Sequence, residues 1–352
     1  VNLLTAASVG DHDRFTNYMS YLTRHNRERS ATGLVMDRRV RLRVVDGQNK
    51  PINDAAITIT APNQRRFFGR THADGRWDFF PSFAGVQASG AVEVTVSAGT
   101  RAAKVRVGLP RRGTTQEIQI KLPNTRALSP RALDLAFAID ITGSMSDELR
   151  YVNNEIADIV RRVKASVPNT AVRVGAVFYK DRMDHQRLQM LRFTTDVAGF
   201  GNAMRRIRAG GGGDYPEDMN AGLQLAMKSL RWSTGNAVRV LVVLADAPPK
   251  YYSDANYRYR QAMADASSRG IRLLPVAASG ANRTVEYLFR AMGAMTSTPY
   301  VYLTDDSGVG GKHMEADTDR VGVEKFNNLL TRLIVSDLRG QGMHEPGHLG
   351  VQ

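Results

Sequence analysis

The chain predicts an α/β fold, a doubly wound and mostly parallel sheet, preceded by a small antiparallel β-sandwich. Three observations lead there. Residues 35–123 hold short strands of period two, separated by Gly, Pro and Asn. Residues 133–340 hold apolar runs of strand length that alternate with helical patterns. Between them lies NTRALSPRA, residues 124–132, a polar connector with a proline, which marks a domain boundary.

Residues 1–34 form an N-terminal extension. Phe15, Tyr18, Met19 and Leu22 recur at helical spacing, so a short amphipathic helix is expected there. The first sandwich strand is RRVRLRVV, residues 38–45. Val40, Leu42 and Val44 share one face; Arg39, Arg41 and Arg43 share the other. Further strands follow at AAITITA, GRWDFFP, AVEVTVSA, KVRVGL and QEIQIKL. In the second half the strand-like runs are LDLAFAID, AVRVGAVFY, AVRVLVVLAD, IRLLPVAA and PYVYLT. Helical stretches of 12 to 20 residues separate them. RLQMLRF, residues 187–193, is shorter and follows a turn directly, which predicts an antiparallel edge strand. Residues 341–352 read as a flexible tail.

Composition narrows the function classes. Hydrophobic residues are 42% and charged residues 23%, enough apolar surface for a packed core. There is no cysteine, so disulfides and thiol chemistry are excluded. No run of about 18 apolar residues occurs, so no membrane span is expected. The sequence starts at Val1, which reads as a trimmed or processed start. The net charge is +14, and residues 35–130 carry 16 Lys and Arg against 7 Asp and Glu, so the excess sits in the first third. Arg39, Arg41 and Arg43 read as a solvated strand face, with docking to an acidic surface such as envelope glycolipid, acidic glycan or an acidic protein as the alternative. Aromatic residues do not interleave with them, which speaks against nucleic acid.

The chemistry concentrates in three loops. Ligands of doubly wound sheets bind at the carboxyl ends of the strands. Asp140 ends one such strand and Asp246 another, and RAGGGGDYPEDMNAG, residues 208–222, is a glycine loop that opens a helix. Thr142 and Ser144 stand two residues apart in the first loop, so a tight turn aims both hydroxyls the same way. Carboxylates and hydroxyls are hard ligands that suit Mg²⁺, Mn²⁺ or Ca²⁺. Asp214 also has a plain account as a helix N-cap, with Pro216 in the first turn and Glu217 three residues on. Glu217 and Asp218 read as helix-start charges.

Two motifs fail on their context. His344-Glu345-x-x-His348 has the spacing of zinc metalloproteases, but Pro346 and Gly347 break the helix that the motif needs. Gly210 to Gly213 lack the Gly-Lys-[Ser/Thr] of a phosphate loop.

DITGSMS at 140–146 resembles the D-x-[ST]-x-S metal-ion-dependent adhesion site of von Willebrand factor type A domains. GGGDYPED and LVVLADAPP resemble that family's second and third metal loops, in order, and the likeness covers about 133–340. The resemblance implies one divalent cation, Mg²⁺ first, with Ca²⁺ or Mn²⁺ as alternatives. In that family the hydroxyls, here Thr142 and Ser144, bind directly, and the aspartates, here Asp140 and Asp246, bind through water. Asp214 stands where the family usually has threonine, which adds a third carboxylate. RVVDGQNKPINDAAITI with THADGRWDFFP resembles the carboxypeptidase regulatory-like, transthyretin-like sandwiches. Together the resemblances imply a non-enzymatic adhesion module with a protein partner at the metal edge. They imply an exported bacterial protein: periplasmic, cell-surface or secreted. A cytoplasmic assembly factor serving an ATPase and a metal-dependent hydrolase are the alternatives. No His, Cys or Lys is placed as a general base, which disfavours the hydrolase.

Overall fold

The computed structural model describes residues 3–86 and 89–346. Its elements run in the order β1 (Thr5–Val9), α1 (Phe15–Arg24), α2 (Asn26–Thr32), β2 (Arg39–Asp46), β3 (Ala56–Thr60), β4 (Arg66–Arg70), β5 (Arg76–Phe79), β6 (Ala91–Ala98), β7 (Arg101–Gly108) and β8 (Thr115–Leu122). The second half continues with β9 (Ala132–Asp140), α3 (Ser146–Ser166), β10 (Ala171–Tyr179), β11 (Leu188–Thr194), α4 (Val197–Met204), α5 (Met219–Lys228), β12 (Ala237–Ala245), α6 (Tyr259–Ser268), β13 (Ile271–Ala277), α7 (Arg283–Met295), β14 (Tyr300–Leu303), β15 (Glu324–Lys325) and α8 (Phe326–Leu338).

The large sheet has the order β11-β10-β9-β12-β13-β14-β1-β15. Strands β10, β9, β12, β13 and β14 are parallel, and β11 pairs antiparallel with β10 at the edge. Two apolar layers cover its faces. One joins Tyr179, Leu223, Leu241 and Leu273 with the helix residues Met263 and Leu288. The other joins Phe137, Ile139 and Val242 with Ile156, Ile159 and Leu333. Central strands buried on both faces explain their continuous apolar runs.

Residues 1–34 are not a separate extension. Strand β1 pairs antiparallel with β14, through Ala6–Leu303 and Val9–Tyr300, and also with β15. The expected helix is α1, and its Tyr18, Tyr21 and Leu22 are buried in the first apolar layer. The large domain therefore takes in β1 and α1, and the sandwich is inserted between β1 and β9.

Between α2 and β9 lie two sheets, β5-β2-β8 and β4-β3-β6-β7, around one core of Val40, Leu42, Ile57, Trp77, Val94 and Val107. The four-stranded sheet is antiparallel, but β2 and β8 pair in parallel, so the unit is not purely antiparallel as expected. The tail expectation also needs correcting up to Pro346. Met343 is fully buried in the second apolar layer and His344 is buried beside it in sequence. His348 lies outside the described residues. Among the described residues, no helix is long and apolar enough to cross a membrane.

The arginine row is corrected by what covers it. Val40, Leu42 and Val44 do face the sandwich core. The opposite face, however, lies on the large domain. The Arg41 guanidinium donates twice to Asp78, at 2.8 and 2.7 Å, and Asp78 also accepts from Ser297. Arg39 donates to the His12 carbonyl at 2.7 Å and stacks over the Phe15 ring. Both arginines are buried and only Arg43 is exposed, so the row is an internal contact and not a free docking face.

Candidate functional site

Strand β9 ends at Asp140 in register with Tyr179, the last residue of β10. Both strands stop at the carboxyl edge of the sheet, and the Asp140 side chain is buried there. The Thr142 amide and hydroxyl both donate to Asp140 Oδ1, at 2.9 and 2.7 Å. That holds the turn and leaves Asp140 Oδ2 without a hydrogen-bond partner. A 3₁₀ turn over Gly143–Met145 then brings Ser144 Oγ to 3.3 Å from Thr142 Oγ. The two hydroxyls converge as the sequence predicted.

The glycine loop crosses directly over this turn. Gly143 donates to the Gly211 carbonyl at 3.0 Å, and a Cβ on Gly143 would lie only 3.0 Å from that same oxygen. Gly212 has φ +78°, a conformation favouring glycine, and its amide donates to the Asp184 carboxylate at 2.9 and 3.1 Å. These two glycines let the loop lie against Thr142. The third loop supplies Asp246 just past β12, buried, with Oδ1 unpartnered and with Ser144 donating to its carboxylate.

Asp214 does not join this group. Its carboxylate is about half exposed and takes Lys250 Nζ at 2.7 Å. Nor is it the helix cap, since Asp218 caps α5 by accepting from the Ala221 amide at 3.2 Å. The inward position belongs to Glu217, which the sequence reading set aside as a helix-start charge. Glu217 is buried, its Oε2 has no partner, and a Cβ on Gly212 would meet both Glu217 Oε1 at 2.9 Å and Thr142 Cβ at 3.2 Å. Its backbone is fixed by the third loop, donating to the Pro248 carbonyl and accepting from the Lys250 amide. Asp181, at the edge of the group, is held by Lys250 Nζ at 2.7 Å and by Tyr252.

The electrostatics follow from three carboxylates in one buried place. Burial, then the charges of Asp246 and Asp184, push Asp140 up to about 7. Burial, then Asp140, Asp181, Asp184 and Asp246, push Glu217 up to about 8. Asp246 is raised as well, chiefly by burial. The Tyr179 hydroxyl is buried without a partner, and its ionisation is suppressed by burial and the same carboxylates. A cation among these groups would reverse those shifts by satisfying the orphaned oxygens. Three carboxylate oxygens lacking partners and two converging hydroxyls suit a hard divalent ion.

The rim is apolar for a surface. Met183 and Tyr251 are the most exposed large hydrophobic side chains among the described residues, Tyr215 is exposed as well, and all three lie on the loops around Asp140. Tyr215 is anchored by its hydroxyl to the carbonyls of Asp246 and Gly280, at 3.1 and 2.8 Å.

The chain is 31% identical over 142 residues to the alpha-protein kinase vwkA of Dictyostelium discoideum, covering 39% of this chain and 22% of that protein. It is 25% identical over 210 residues to the putative ariadne-like RING finger protein R811 of Acanthamoeba polyphaga mimivirus, covering 58% and 20%. It is 29% identical over 130 residues to hemicentin-2 of Mus musculus, covering 36% and 2%. The chain thus spans about a fifth of the length of the first two relatives. A family model described as the von Willebrand factor A domain matches residues 134–314, just over half of the chain and all three loops. The chain belongs to the von Willebrand factor A domain family.

Proposed function

We propose that this protein is a non-enzymatic interaction module that holds one divalent cation at the carboxyl edge of its large sheet and meets a protein partner there. The observation that carries the reading is the group of orphaned oxygens, Asp140 Oδ2, Asp246 Oδ1 and Glu217 Oε2, beside the paired hydroxyls of Thr142 and Ser144. The bound ion would supply charge neutralisation and a point of attachment; Mg²⁺ leads, with Ca²⁺ and Mn²⁺ as alternatives. Asp214 acts outside the immediate group, anchoring Lys250. Interaction modules are the general character of the family, and the exposed Met183, Tyr215 and Tyr251 give the rim the side chains that carry binding energy at protein interfaces. The third carboxylate of the site is Glu217, so three negative charges face a doubly charged ion. The partner therefore contributes a neutral oxygen or packs on the rim. The pairing of a regulatory-like sandwich, residues 35–123, with a type A domain supports export to periplasm, cell surface or medium as the setting.

The test is capture of the partner from the native source on immobilised full-length protein. Retention should be lost in EDTA, return with Mg²⁺, and fail for Asp140→Ala. A Met183→Ser, Tyr251→Ser variant should keep the ion and lose the partner. Retention indifferent to EDTA and to Asp140→Ala would overturn the reading.

A further inference from the structure

A second cluster of ligand-type side chains lies far from the loops of Asp140, where the two ends of the described chain meet. After β1 the backbone makes a tight turn, with Asp13 and Arg14 both donating to the Gly10 carbonyl at 3.0 Å. That turn presents His12 and Asp13 together. After α8 the chain reverses through Gly340 and Gly342, at φ +75° and +76°, and buries Met343 and His344. Glu345 completes the junction by accepting from the Gly10 amide at 2.7 Å.

His344 Nδ1 lies 2.8 and 2.9 Å from the two oxygens of Asp13. His12 Nε2 lies 3.4 Å from Asp13 Oδ1, and the two imidazoles stack with centroids 5.5 Å apart. One ligand atom from each of the three residues can be chosen so that all lie within 4.8 Å of one another. His12 is 1% exposed and, among the described residues, neither of its ring nitrogens has a hydrogen-bond partner. A buried polar group left so is destabilising. The site therefore has a ligand-type nitrogen, beside a carboxylate, that the other described residues do not hydrogen-bond.

We propose that His12, Asp13 and His344 form a site for a borderline transition-metal ion of the zinc class, separate from the divalent site at Asp140. The donor set decides the class. Two imidazoles with one carboxylate suit zinc, cobalt or nickel and not the hard ions, which take oxygen. The spacing agrees: bonds of about 2.0–2.1 Å in tetrahedral geometry put ligand atoms about 3.3 Å apart, against the 2.8 and 3.4 Å found here. Asp74 Oδ2 and His344 Nε2 both border the Gly342 position, where a Cβ would meet them at 2.8 and 2.9 Å, so a sandwich carboxylate lies in the neighbourhood of this imidazole. Carboxylates beside a ligating imidazole orient it and raise its basicity.

Such an ion is a fastener. His12 belongs to the turn after β1, His344 to the segment after α8, and Asp74 to the sandwich; the His12 carbonyl also receives Arg39 of the sandwich. One metal would tie the first strand, the last helix and the inserted sandwich at a single point. The His-x-x-x-His spacing near the C-terminus acquires a different sense, because its first histidine is met by ligands from the opposite end of the chain and not by a helical neighbour.

The test uses full-length protein carrying Asp140→Ala, stripped of metal by a chelator, with Co²⁺ as a spectroscopic probe. One equivalent of Co²⁺ should bind with visible ligand-field absorption typical of nitrogen ligands and low coordination number, and Zn²⁺ should displace it. Zn²⁺ but not Mg²⁺ should raise the Tm. Asp13→Asn and His344→Gln, which remove direct ligands, should each weaken Co²⁺ binding by more than the roughly 10–100-fold that loss of a ligand's supporting partner costs, with unchanged far-ultraviolet circular dichroism. No saturable Co²⁺ binding to the Asp140→Ala protein, or a bound spectrum of oxygen-only octahedral type, would overturn the proposal even if the two variants fail to fold. Loss of the Asp140 site alone would leave this result intact, so the two proposals fail separately.

Discussion

Glu217 and Asp214 are three residues apart in one loop, and the fold sends them in opposite directions. Glu217 goes under the glycine loop toward Asp140 and Asp246, while Asp214 goes out to Lys250. We predict that Glu217→Gln weakens divalent-cation binding by about 10–100-fold, the usual cost of disturbing a metal site's supporting groups. Asp214→Asn should change it no more than about fivefold, the worth of an exposed ion pair. Calorimetric titration of the two variants decides; the reverse ranking would return Asp214 to the site. Sequence could place Asp140 and Asp246 because each ends its own apolar strand, which is local information. The choice between Asp214 and Glu217 depends on Lys250, contributed by another loop, and local patterning holds no trace of it.

His72 gives a residue-level prediction about acid. Burial first, then the Arg272 charge, lowers its pKa from 6.5 to about 3, while Asp74 and Asp78 oppose that shift. The folded state therefore keeps His72 neutral over a range in which the unfolded chain is protonated. The unfolded state binds the extra proton, so stability falls as pH drops through 6.5 toward about 3. The slope from this one group is at most about 1.4 kcal/mol per pH unit. Denaturant melts between pH 7 and 4 should show His72→Gln losing stability less steeply than wild type. Parallel curves would mean that His72 is charged in the fold.

At the scale of elements, the inserted sandwich is held by polar contacts seated in apolar surroundings. The Trp77 indole on β5 donates to the Ser267 carbonyl and hydroxyl at the end of α6, at 3.2 and 3.0 Å. Asp54 takes Arg239 at 3.1 Å, and the fully buried Arg272 pairs with Asp337 of α8 while standing 3.4 Å from Asp74. Gly69 on β4 makes the Trp77 position possible, since a Cβ there would stand 2.1 to 2.5 Å from the indole. Gly69→Ala should push Trp77 off Ser267 and cost about 1–3 kcal/mol, read as a lower urea midpoint and a shifted tryptophan emission. An unchanged midpoint would show that the ring has room to move.

The same contacts explain what was hard to read in the sequence. Strict alternation in β2 identified which residues share a face, and Val40, Leu42 and Val44 do line the sandwich core. Alternation says nothing of what covers the other face, so Arg39 and Arg41 looked solvated although the large domain lies on them. Strand β1 was missed for a related reason. TAASV is short and weakly apolar, and its partner β14 is nearly the whole chain away. By contrast β9, β10, β12 and β13 were legible, because burial on both faces writes itself into five or more consecutive residues, while the half-buried edge strand β11 was legible from the turn that it directly follows.

On the scale of the whole molecule, the chain starts in the large sheet, leaves to build the sandwich, and returns to finish the sheet. This threading puts the beginning and end of the described chain on one side, where Gly10, Glu345, Asp13 and His344 meet. The carboxyl edge with its three loops is left free to face a partner. The layout separates the junction of His12, Asp13 and His344 from the proposed partner edge, and each has its own candidate ion. The measurement that tests the central claim most directly is calorimetric titration of Mg²⁺, Mn²⁺ and Ca²⁺ into metal-stripped wild-type and Asp140→Ala protein. The account predicts one equivalent of at least one of these ions bound by wild type, and none bound at that affinity by Asp140→Ala. Equal binding by the two proteins, or no binding by wild type, would contradict it.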